Sequence, residues 1–484
     1  MKTRSTILLV SVLGLALLAF GMLLWQAVPV RAQSTDILYV APGGACSGTP
    51  NCYASVQAAV DAAASGDEIR VAAGTYTGVS ARPRQDITTT GVVTQVVYIS
   101  KTVTVRGGYN TDFSAWNPAV NVTTLDAQNQ GRVIYITGDS TTRPIVEGLS
   151  LTGGDATGLT GYDYYGQHDV GGGVYVITAT ATLINNQIFG NAAPYGGGGV
   201  YLGFSEGQLD GNTISQNTIE TGGGGVLLYK GAATLTGNRI VSNTSHNLGG
   251  GVYLFSTAAT LKGNTITGNT ASVLGGGLDV ASCSPALRSN IISENTAGTG
   301  GGVYLWYSDS ILTNNVIADN QATNAGPGLW IGGSQPTLLQ TTVARNTGGG
   351  GSGVFVTDNG SGTYSTVAMT NTIVANQVLG VSVSAGSVAK VDGVLWFGNG
   401  ANTGGAGTAT VTHANSGDPA FTSDGYHLTA GSAAIDKGVN AGITTDIDGQ
   451  PRFGVPDLGA DEYWPPGYPK YIYMPLITRN VSAP

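Results

Sequence analysis

The feature that most constrains the fold is a sequence repeat with a step of about 26 residues. A Gly-Gly-Gly-apolar motif recurs through the middle of the chain, and its last two copies replace the central glycine by proline or serine. Its apolar residues are spaced by 25 or 26 positions at Val174, Val200, Val226, Val252, Leu278, Val303, Leu329 and Val354. Such a period indicates one structural unit stacked many times.

Two apolar series and two asparagine series keep the same step. The apolar series are Leu183, Leu209, Leu235, Leu261, Leu287, Leu312 and Leu338, and Ile188, Ile214, Ile240, Ile266, Ile292, Ile317 and Val343. The asparagine series are Asn186, Asn212, Asn238, Asn264, Asn290 and Asn315, and Asn191, Asn217, Asn243, Asn269, Asn295, Asn320 and Asn346.

Each repeat holds three short apolar stretches bounded by glycine or asparagine, a pattern that predicts strands and not helices. If a repeat closes into one coil, identical positions in neighbouring coils lie about 4.8 Å apart. The apolar series then form buried ladders. Asparagine suits the bends because it tolerates left-handed backbone and can hydrogen-bond to its copies in adjacent coils.

These residues resemble the right-handed parallel β-helix proteins, the pectate-lyase-like superfamily in the broad sense, over residues 67–400. The resemblance implies an all-β, single-stranded right-handed solenoid. It implies no particular activity, because the fold carries lyases, hydrolases, adhesins and phage tail fibres. A solenoid needs a cap, and Ser55 followed by Val56, Ala59 and Val60 predicts a short N-terminal capping helix within residues 33–66.

The first 32 residues form a predicted signal peptide. Lys2 and Arg4 precede an apolar run, and Val30 and Ala32 offer small residues at a cleavage site. The alternative is an uncleaved membrane anchor, because the run is long enough to span a bilayer. Both interpretations predict a secreted or cell-surface protein. In that oxidising setting Cys46 and Cys52 can form a disulfide.

The composition changes after residue 400. Gly-Ser-Ala-Ala-Ile-Asp-Lys-Gly at 431–438, Asp-Ile-Asp-Gly-Gln-Pro-Arg at 446–452 and Asp-Leu-Gly-Ala-Asp-Glu at 457–462 follow one another. Together they resemble the choice-of-anchor Q module of exported bacterial β-helix proteins. We assign residues 401–464 to this capping module and 465–484 to a tail. The resemblance implies a bacterial surface or secreted protein and a possible cell-envelope association.

Aromatic residues dominate one predicted outward face. Since side chains alternate along a strand, the residue after each Val174-type position points outward; we call these residues the outward row. The outward row is Tyr175, Tyr201, Leu227, Tyr253, Asp279, Tyr304, Trp330 and Phe355. Two positions further along, Trp306 joins the same face. A large exposed aromatic surface indicates binding, here of glycans, through Tyr175, Tyr201, Tyr253, Tyr304, Trp306 and Trp330. The alternatives are a covering loop, such as the irregular residues 155–169, or ladder stacking that only stabilises the sheet.

Asp279 interrupts the aromatic face, and we expect its pKa to be raised by the rings around it, which would suit a general acid. The alternative is a solvated surface substitution. Glu294 and Asp319 occupy one repeat position in adjacent coils, with Arg345 next. They could hold calcium, act as an acid pair or form a surface charge ladder.

Four aspartates of the C-terminal module are candidate calcium ligands, although no glutamate completes an EF-hand loop. These candidates are Asp446, Asp448, Asp457 and Asp461. A structural salt-bridge cluster that includes Arg452 is the alternative. Calcium is the one cofactor that the sequence suggests.

Charge and motifs narrow the function. A net charge of −9 argues against nucleic acid as a partner, because phosphate binding needs many Lys and Arg residues. Polygalacturonases carry Asn-Thr-Asp, but the nearest strings here are Asn-Thr-Ile copies such as 212–214, and only Arg-Pro-Arg at 82–84 approaches a pectate-lyase segment. We therefore expect a non-catalytic stalk that binds polysaccharides or cell-surface glycans. The alternative is a polysaccharide lyase or glycoside hydrolase that uses Asp279, Glu294, Asp319 or Arg345.

Overall fold

The computed structural model describes residues 35–84, 91–163 and 166–466. The predicted signal peptide (1–32) and nearly all of the predicted tail (465–484) lie outside the described residues. The chain divides into Met1–Asp36 and Ile37–Pro484, and the following description concerns the second unit. Within the described ranges, no helix combines the length and the apolar character that a membrane crossing requires.

The strands that follow the glycine motifs form one sheet, which we call sheet 1. All of its neighbours pair in parallel except its first two strands, which are antiparallel. Its strands are Ser80–Pro83, Val92–Ile99, Arg132–Thr137, Val174–Ile177, Val200–Ser205, Val226–Gly231, Val252–Phe255, Leu278–Ala281, Val303–Trp306, Leu329–Gly332, Ser352–Thr357, Leu379–Val383 and Ala401–Gly404.

The leucine and isoleucine ladders lie on a second parallel sheet, sheet 2, as two adjacent columns. Its early strands are Ile37–Val40, Cys52–Tyr53, Glu68–Ala72, Gly74–Tyr76, Thr104–Tyr109, Thr123–Asp126, Ile145–Glu147 and Ser150–Thr152. The leucine column continues with Thr182–Ile184, Gln208–Asp210, Thr234–Thr236, Thr260–Lys262, Ala286–Arg288, Ile311–Thr313 and Thr337–Leu339. The isoleucine column continues with Gln187–Phe189, Thr213–Ser215, Arg239–Val241, Thr265–Thr267, Ile291–Ser293, Val316–Ala318 and Thr342–Ala344. Both columns merge into the long strands Thr366–Ala375, Val388–Phe397 and Thr408–Ser416.

A third sheet consists of short strands that follow the second asparagine series. They are Ala192–Tyr195, Thr218–Thr221, Thr244–Ser245, Thr270–Ala271, Thr296–Thr299, Gln321–Ala325 and Thr347–Gly348. The strands Gly161–Asp163 and Gly166–His168 form a separate antiparallel hairpin. The helical elements are Val56–Ala62 and the 3₁₀ turns Pro42–Gly44 and Gly349–Gly351.

The predicted ladders form the core. Every residue of the leucine series is fully buried, and Leu235 pairs in register with Leu209 and Leu261. The asparagines are also buried, because each one satisfies groups of its neighbours. The Asn238 side-chain amide donates to the Asn264 Oδ1 at 3.0 Å, and the Asn238 Oδ1 accepts from the Asn212 backbone N–H at 2.9 Å. These bonds confirm the predicted stacking of asparagine copies.

The glycine motif allows close approach between coils. A Cβ atom added at Gly224 would lie 2.4 Å from the Gly250 carbonyl oxygen, a distance that Cβ atoms essentially never show. Any larger residue would therefore push adjacent coils apart. The predicted capping helix is present at Val56–Ala62, and the Ser55 hydroxyl accepts a hydrogen bond from the Ala58 N–H.

The parallel ladder is longer than the predicted span of residues 67–400. Ile37–Val40 already pairs with Glu68–Ala72, and Thr408–Ser416 pairs with Val388–Phe397. The repeat signal misses these strands because they lack the glycine and asparagine motifs. Backbone pairing, in contrast, needs only extended chain in register.

The irregular segment at residues 417–466 packs on the outside of sheet 2. Its apolar residues Leu428, Leu458 and Ala460 form a cluster with outward side chains of the coils, among them Val316 and Ile373. This cluster is separate from the interior core, so the segment covers one flank of the late coils.

Candidate functional site

The outward row lies on sheet 1, where alternation separates two apolar clusters. Val174 and Val176 belong to the interior core, whereas Tyr175 and Ile177 belong to a cluster on the outer face. Tyr175 stacks on Tyr201, with ring centroids 5.2 Å apart. The register predicted from the repeat is therefore the one observed.

The first part of the outward row is covered by other parts of the chain. Tyr175 and Tyr201 have no exposed surface, and Val170 packs against both in the same outer cluster. The buried Arg132 donates to the Val170 and Thr160 carbonyl oxygens, and its guanidinium lies 5.0 Å from the centre of the Tyr175 ring. Tyr175 and Tyr201 are therefore wrong as glycan-binding candidates, because other residues of the chain bury both rings.

Beyond this cover the outer face forms a cavity of about 380 Å³, which we call the aromatic pocket. Its lining residues are Leu248, Tyr253, Phe255, Leu274, Asp279, Ala281, Ser282, Tyr304 and Trp306. Trp330 stacks on Tyr304 with the ring centroids 4.3 Å apart and the planes nearly parallel. The candidates Tyr253, Tyr304, Trp306 and Trp330 thus line the pocket or support its wall.

Asp279 supplies the one carboxyl group among the residues that line the aromatic pocket. It pairs in register with Tyr253 on one side and Tyr304 on the other. Only 2% of the residue is exposed, and its carboxyl makes no hydrogen bond or ion pair with a residue of the described ranges. Burial alone raises the pKa of Asp279 to about 8. The alternative of a solvated substitution is therefore wrong.

Glu294, Asp319 and Arg345 do not form a shared ion site. All three occupy a bend with left-handed backbone, which turns their side chains away from the core. The Asp319 carboxylate forms a two-pronged ion pair with Arg345, at 2.7 and 2.8 Å. Arg345 also donates to the Gly425 carbonyl oxygen. Asp319 is thus neutralised by Arg345 and helps to hold the C-terminal segment, while Glu294 is exposed.

Most carboxylates of the C-terminal segment form ion pairs or hydrogen bonds with other groups of the protein. Arg452 and Glu462 form a buried ion pair at 3.0 Å, and Arg452 also donates to the Gly459 and Ala460 carbonyl oxygens. The Asp457 carboxylate accepts the Asp436 and Tyr463 backbone N–H groups. Buried hydrogen-bonded charges of this kind fix a local conformation. This is the structural cluster that we considered as the alternative to calcium.

A histidine that the sequence did not indicate joins two of the four aspartates. Ligand atoms of His427, Asp448 and Asp461 lie within 4.8 Å of one another. Hydrogen bonds to Asp448 and Asp424 help to raise the pKa of His427 to about 9. Calcium binds oxygen ligands, so a set that includes an imidazole nitrogen does not fit the expected calcium site. Asp446 and Asp457 lie outside this group.

The predicted disulfide joins Cys46 and Cys52 in the N-terminal part of the unit. It closes the loop that precedes the capping helix. Cys283 keeps a free thiol, and burial raises its pKa to about 11. A thiol that stays protonated is a poor nucleophile, so Cys283 is not a catalytic candidate.

The geometry is that of a parallel β-helix with the aromatic pocket on its outer face. The family model for the right-handed β-helix region matches residues 133–317 and 243–416, which together span more than half of the chain. The chain therefore belongs to the right-handed β-helix family. Comparison with curated proteins gives no match.

Two solved structures are similar to this chain. The crystal structure of pectate lyase Pel9A is 16% identical, covers 89% of this chain and 97% of its own, and gives a TM-score of 0.45. The family 28 exopolygalacturonase of Yersinia enterocolitica is 12% identical over 78% of each chain, with a TM-score of 0.31. At these values neither likeness carries an argument about activity.

Proposed function

We propose that this protein is an exported bacterial β-helix protein that binds glycans in the aromatic pocket without cleaving them. The observation that carries the proposal is the exposure of this pocket. Along the same face the earlier rings are buried, whereas Tyr253 and Trp306 line an open cavity. Sugar rings present apolar C–H faces that pack on aromatic side chains, and open aromatic surfaces of this kind indicate binding.

The proposal places the protein outside the cytoplasm, at the cell surface or in the medium. The Cys46–Cys52 disulfide supports this location, because disulfides persist in oxidising compartments. The predicted signal peptide and the resemblance of residues 431–462 to the choice-of-anchor Q module support it as well. Association with the cell envelope belongs to the same proposal.

A catalytic role is the second candidate, and Asp279 is the observation that favours it. Because its pKa is about 8, Asp279 is protonated at neutral pH and could donate a proton to a glycosidic oxygen. Most glycoside hydrolases, however, need a second carboxylate as nucleophile or base. The lining of the aromatic pocket contains only one carboxyl group. Binding is therefore the better supported function.

The test combines binding and product formation. In the variant with Trp306→Ala and Trp330→Ala, one ring is lost from the pocket lining and another from behind Tyr304. At about 1 kcal/mol for each lost ring contact, binding should weaken at least about tenfold. Trp116→Ala is the matched control, since Trp116 is exposed on the early coils. Binding to a panel of neutral, acidic and amino-sugar oligosaccharides is measured together with reducing ends and unsaturated products. Unchanged binding by the double variant would contradict the proposed site, and product formation would favour the enzyme.

A further inference from the structure

Among the residues that the structure describes, none gives the Asp279 carboxyl the partner that a buried charge requires. Other members of the outward row on neighbouring coils are Leu227, Tyr253 and Tyr304, so the position accepts apolar residues. An aspartate at this position can stay protonated, which requires a raised pKa. It can also become charged, which requires that the charge is removed from water. A positive group from outside the chain that enters the pocket would stabilise the charged state.

The same outer face already holds cations elsewhere. The Lys230 ammonium lies 5.0 Å from the centre of the Phe204 ring and 5.2 Å from that of Tyr229. The Arg132 guanidinium lies 5.0 Å from the centre of the Tyr175 ring. These distances are those of cation–π contacts. The protein thus uses the rings of this face to hold positive groups on earlier coils.

The aromatic pocket has the aromatic rings and the carboxyl group of a cation site, but none of its lining residues supplies a cation. Four rings surround it, those of Tyr253, Phe255, Tyr304 and Trp306, and neither lysine nor arginine is among its lining residues. Rings around a buried carboxyl are the chemistry that recognises substituted ammonium groups. A sugar that carries only carboxylates would meet Asp279 with no positive residue of the lining to balance it.

We propose that the aromatic pocket binds an organic ammonium group, held by the Asp279 carboxylate and the surrounding rings. Resting on the proposed glycan-binding function, the inference is that this group is the free amine of an amino sugar within a glycan chain. The sugar ring would pack on Trp306 or Tyr304 while its ammonium reaches Asp279. A small quaternary ammonium compound offers the same chemistry from another source.

Binding of the cation also moves one proton. The protonated Asp279 carboxyl and the ligand ammonium become a carboxylate–ammonium pair, and the carboxyl proton leaves to solvent. Tyr304 and Cys283 are the titratable groups that interact with the Asp279 charge, and burial raises the pKa of both, so neither ionises near neutral pH. Tyr253 contributes a further phenol to the wall.

The experiment measures binding of three probes by titration calorimetry at about pH 7. The probes are a glucosamine oligomer with free amines, the matched N-acetylglucosamine oligomer and choline. Wild type is compared with Asp279→Asn and Asp279→Leu. The control is Glu206→Gln, because Glu206 is an exposed carboxyl directly after the sheet 1 strand Val200–Ser205. Titrations in two buffers of different ionisation enthalpy count the protons released.

We expect the free-amine oligomer to bind wild type at least about tenfold more tightly than the acetylated one, with a net release of protons that is reduced to the extent that neutral amines take up the proton of Asp279. Both Asp279 variants should lose the preference and the proton release, whereas Glu206→Gln should keep them. Equal affinity for both oligomers, unaffected by Asp279→Asn, would overturn the ammonium inference and leave glycan binding standing. If choline binds in a way that depends on Asp279 and neither oligomer binds, the ammonium site is supported and the glycan function is overturned. No binding of any probe would overturn the ammonium inference, and the wider oligosaccharide panel described above would then decide on glycan binding.

Discussion

Replacing Asp279 by asparagine should change how the stability of the protein depends on pH. The substitution keeps the size of the side chain and removes the ionisable group. In the wild-type fold the carboxyl is buried and its pKa is about 8, compared with an ordinary value of 3.8. The unfolded chain therefore releases this proton near pH 4, whereas the folded protein keeps it until about pH 8.

The sign and size of the effect follow from this difference. Between pH 4 and pH 8 the unfolded state binds fewer protons than the folded state, so wild-type stability falls as the pH rises. One proton corresponds to about 1.4 kcal/mol per pH unit, or about 4 kcal/mol between about pH 4.5 and about pH 7.5. Asparagine lacks this dependence. Its own buried amide has a cost that does not vary with pH, so the informative quantity is the difference in slope.

The assay is urea unfolding of wild type and Asp279→Asn, followed by circular dichroism at several pH values from about 4.5 to about 7.5. The free energy of unfolding of the variant minus that of wild type should increase steadily with pH. Glu206→Gln should give no such trend, because this carboxyl is exposed. Parallel pH profiles for wild type and Asp279→Asn would refute the conclusion that Asp279 is buried without a partner.

Three further predictions concern residues that stabilise the fold. Leu235→Asp should destabilise the protein by several kcal/mol, because it places a charge within the fully buried leucine ladder; a melting temperature close to that of wild type would show that Leu235 does not face the core. Arg452→Met should cost about 3–5 kcal/mol and expose the C-terminal segment to limited proteolysis, since it leaves the buried Glu462 unpaired; unchanged cleavage would contradict this. Cys46→Ser should lower the free energy of unfolding by about 2 kcal/mol, as expected for the loss of a short disulfide loop, and reduction of wild type should reproduce the loss while leaving the variant unaffected.

The repeat made the ladder positions predictable from the sequence. A residue such as Leu235 or Asn238 is fixed by its copies in neighbouring coils, so one register determines the inward or outward direction of every strand. The position of Asp279 between Tyr253 and Tyr304, and its raised pKa, follow from that register. The disulfide follows from two cysteines in one short loop.

The site could be predicted only in part, because its limits depend on segments without the repeat. The sequence indicated one aromatic face but not which of its rings other parts of the chain cover. Tyr175 and Tyr201 therefore appeared equivalent to Tyr253 and Tyr304, although the first two are buried. The ion pair of Asp319 with Arg345, in contrast, lies within the repeat and was open to prediction from coil spacing.

The sequence by itself determined the coil, its period and its core, because a 26-residue repeat places like residues on top of one another. Tertiary structure alone decided which outward residues meet solvent and which carboxylates are already paired. Contacts such as those of His427 with Asp448, or of Arg132 with Val170, join residues far apart in the chain at spacings that no motif records. Whether a ring of the outward row is buried, as Tyr175 is, or lines a cavity, as Tyr253 does, depends on packing and not on the repeat.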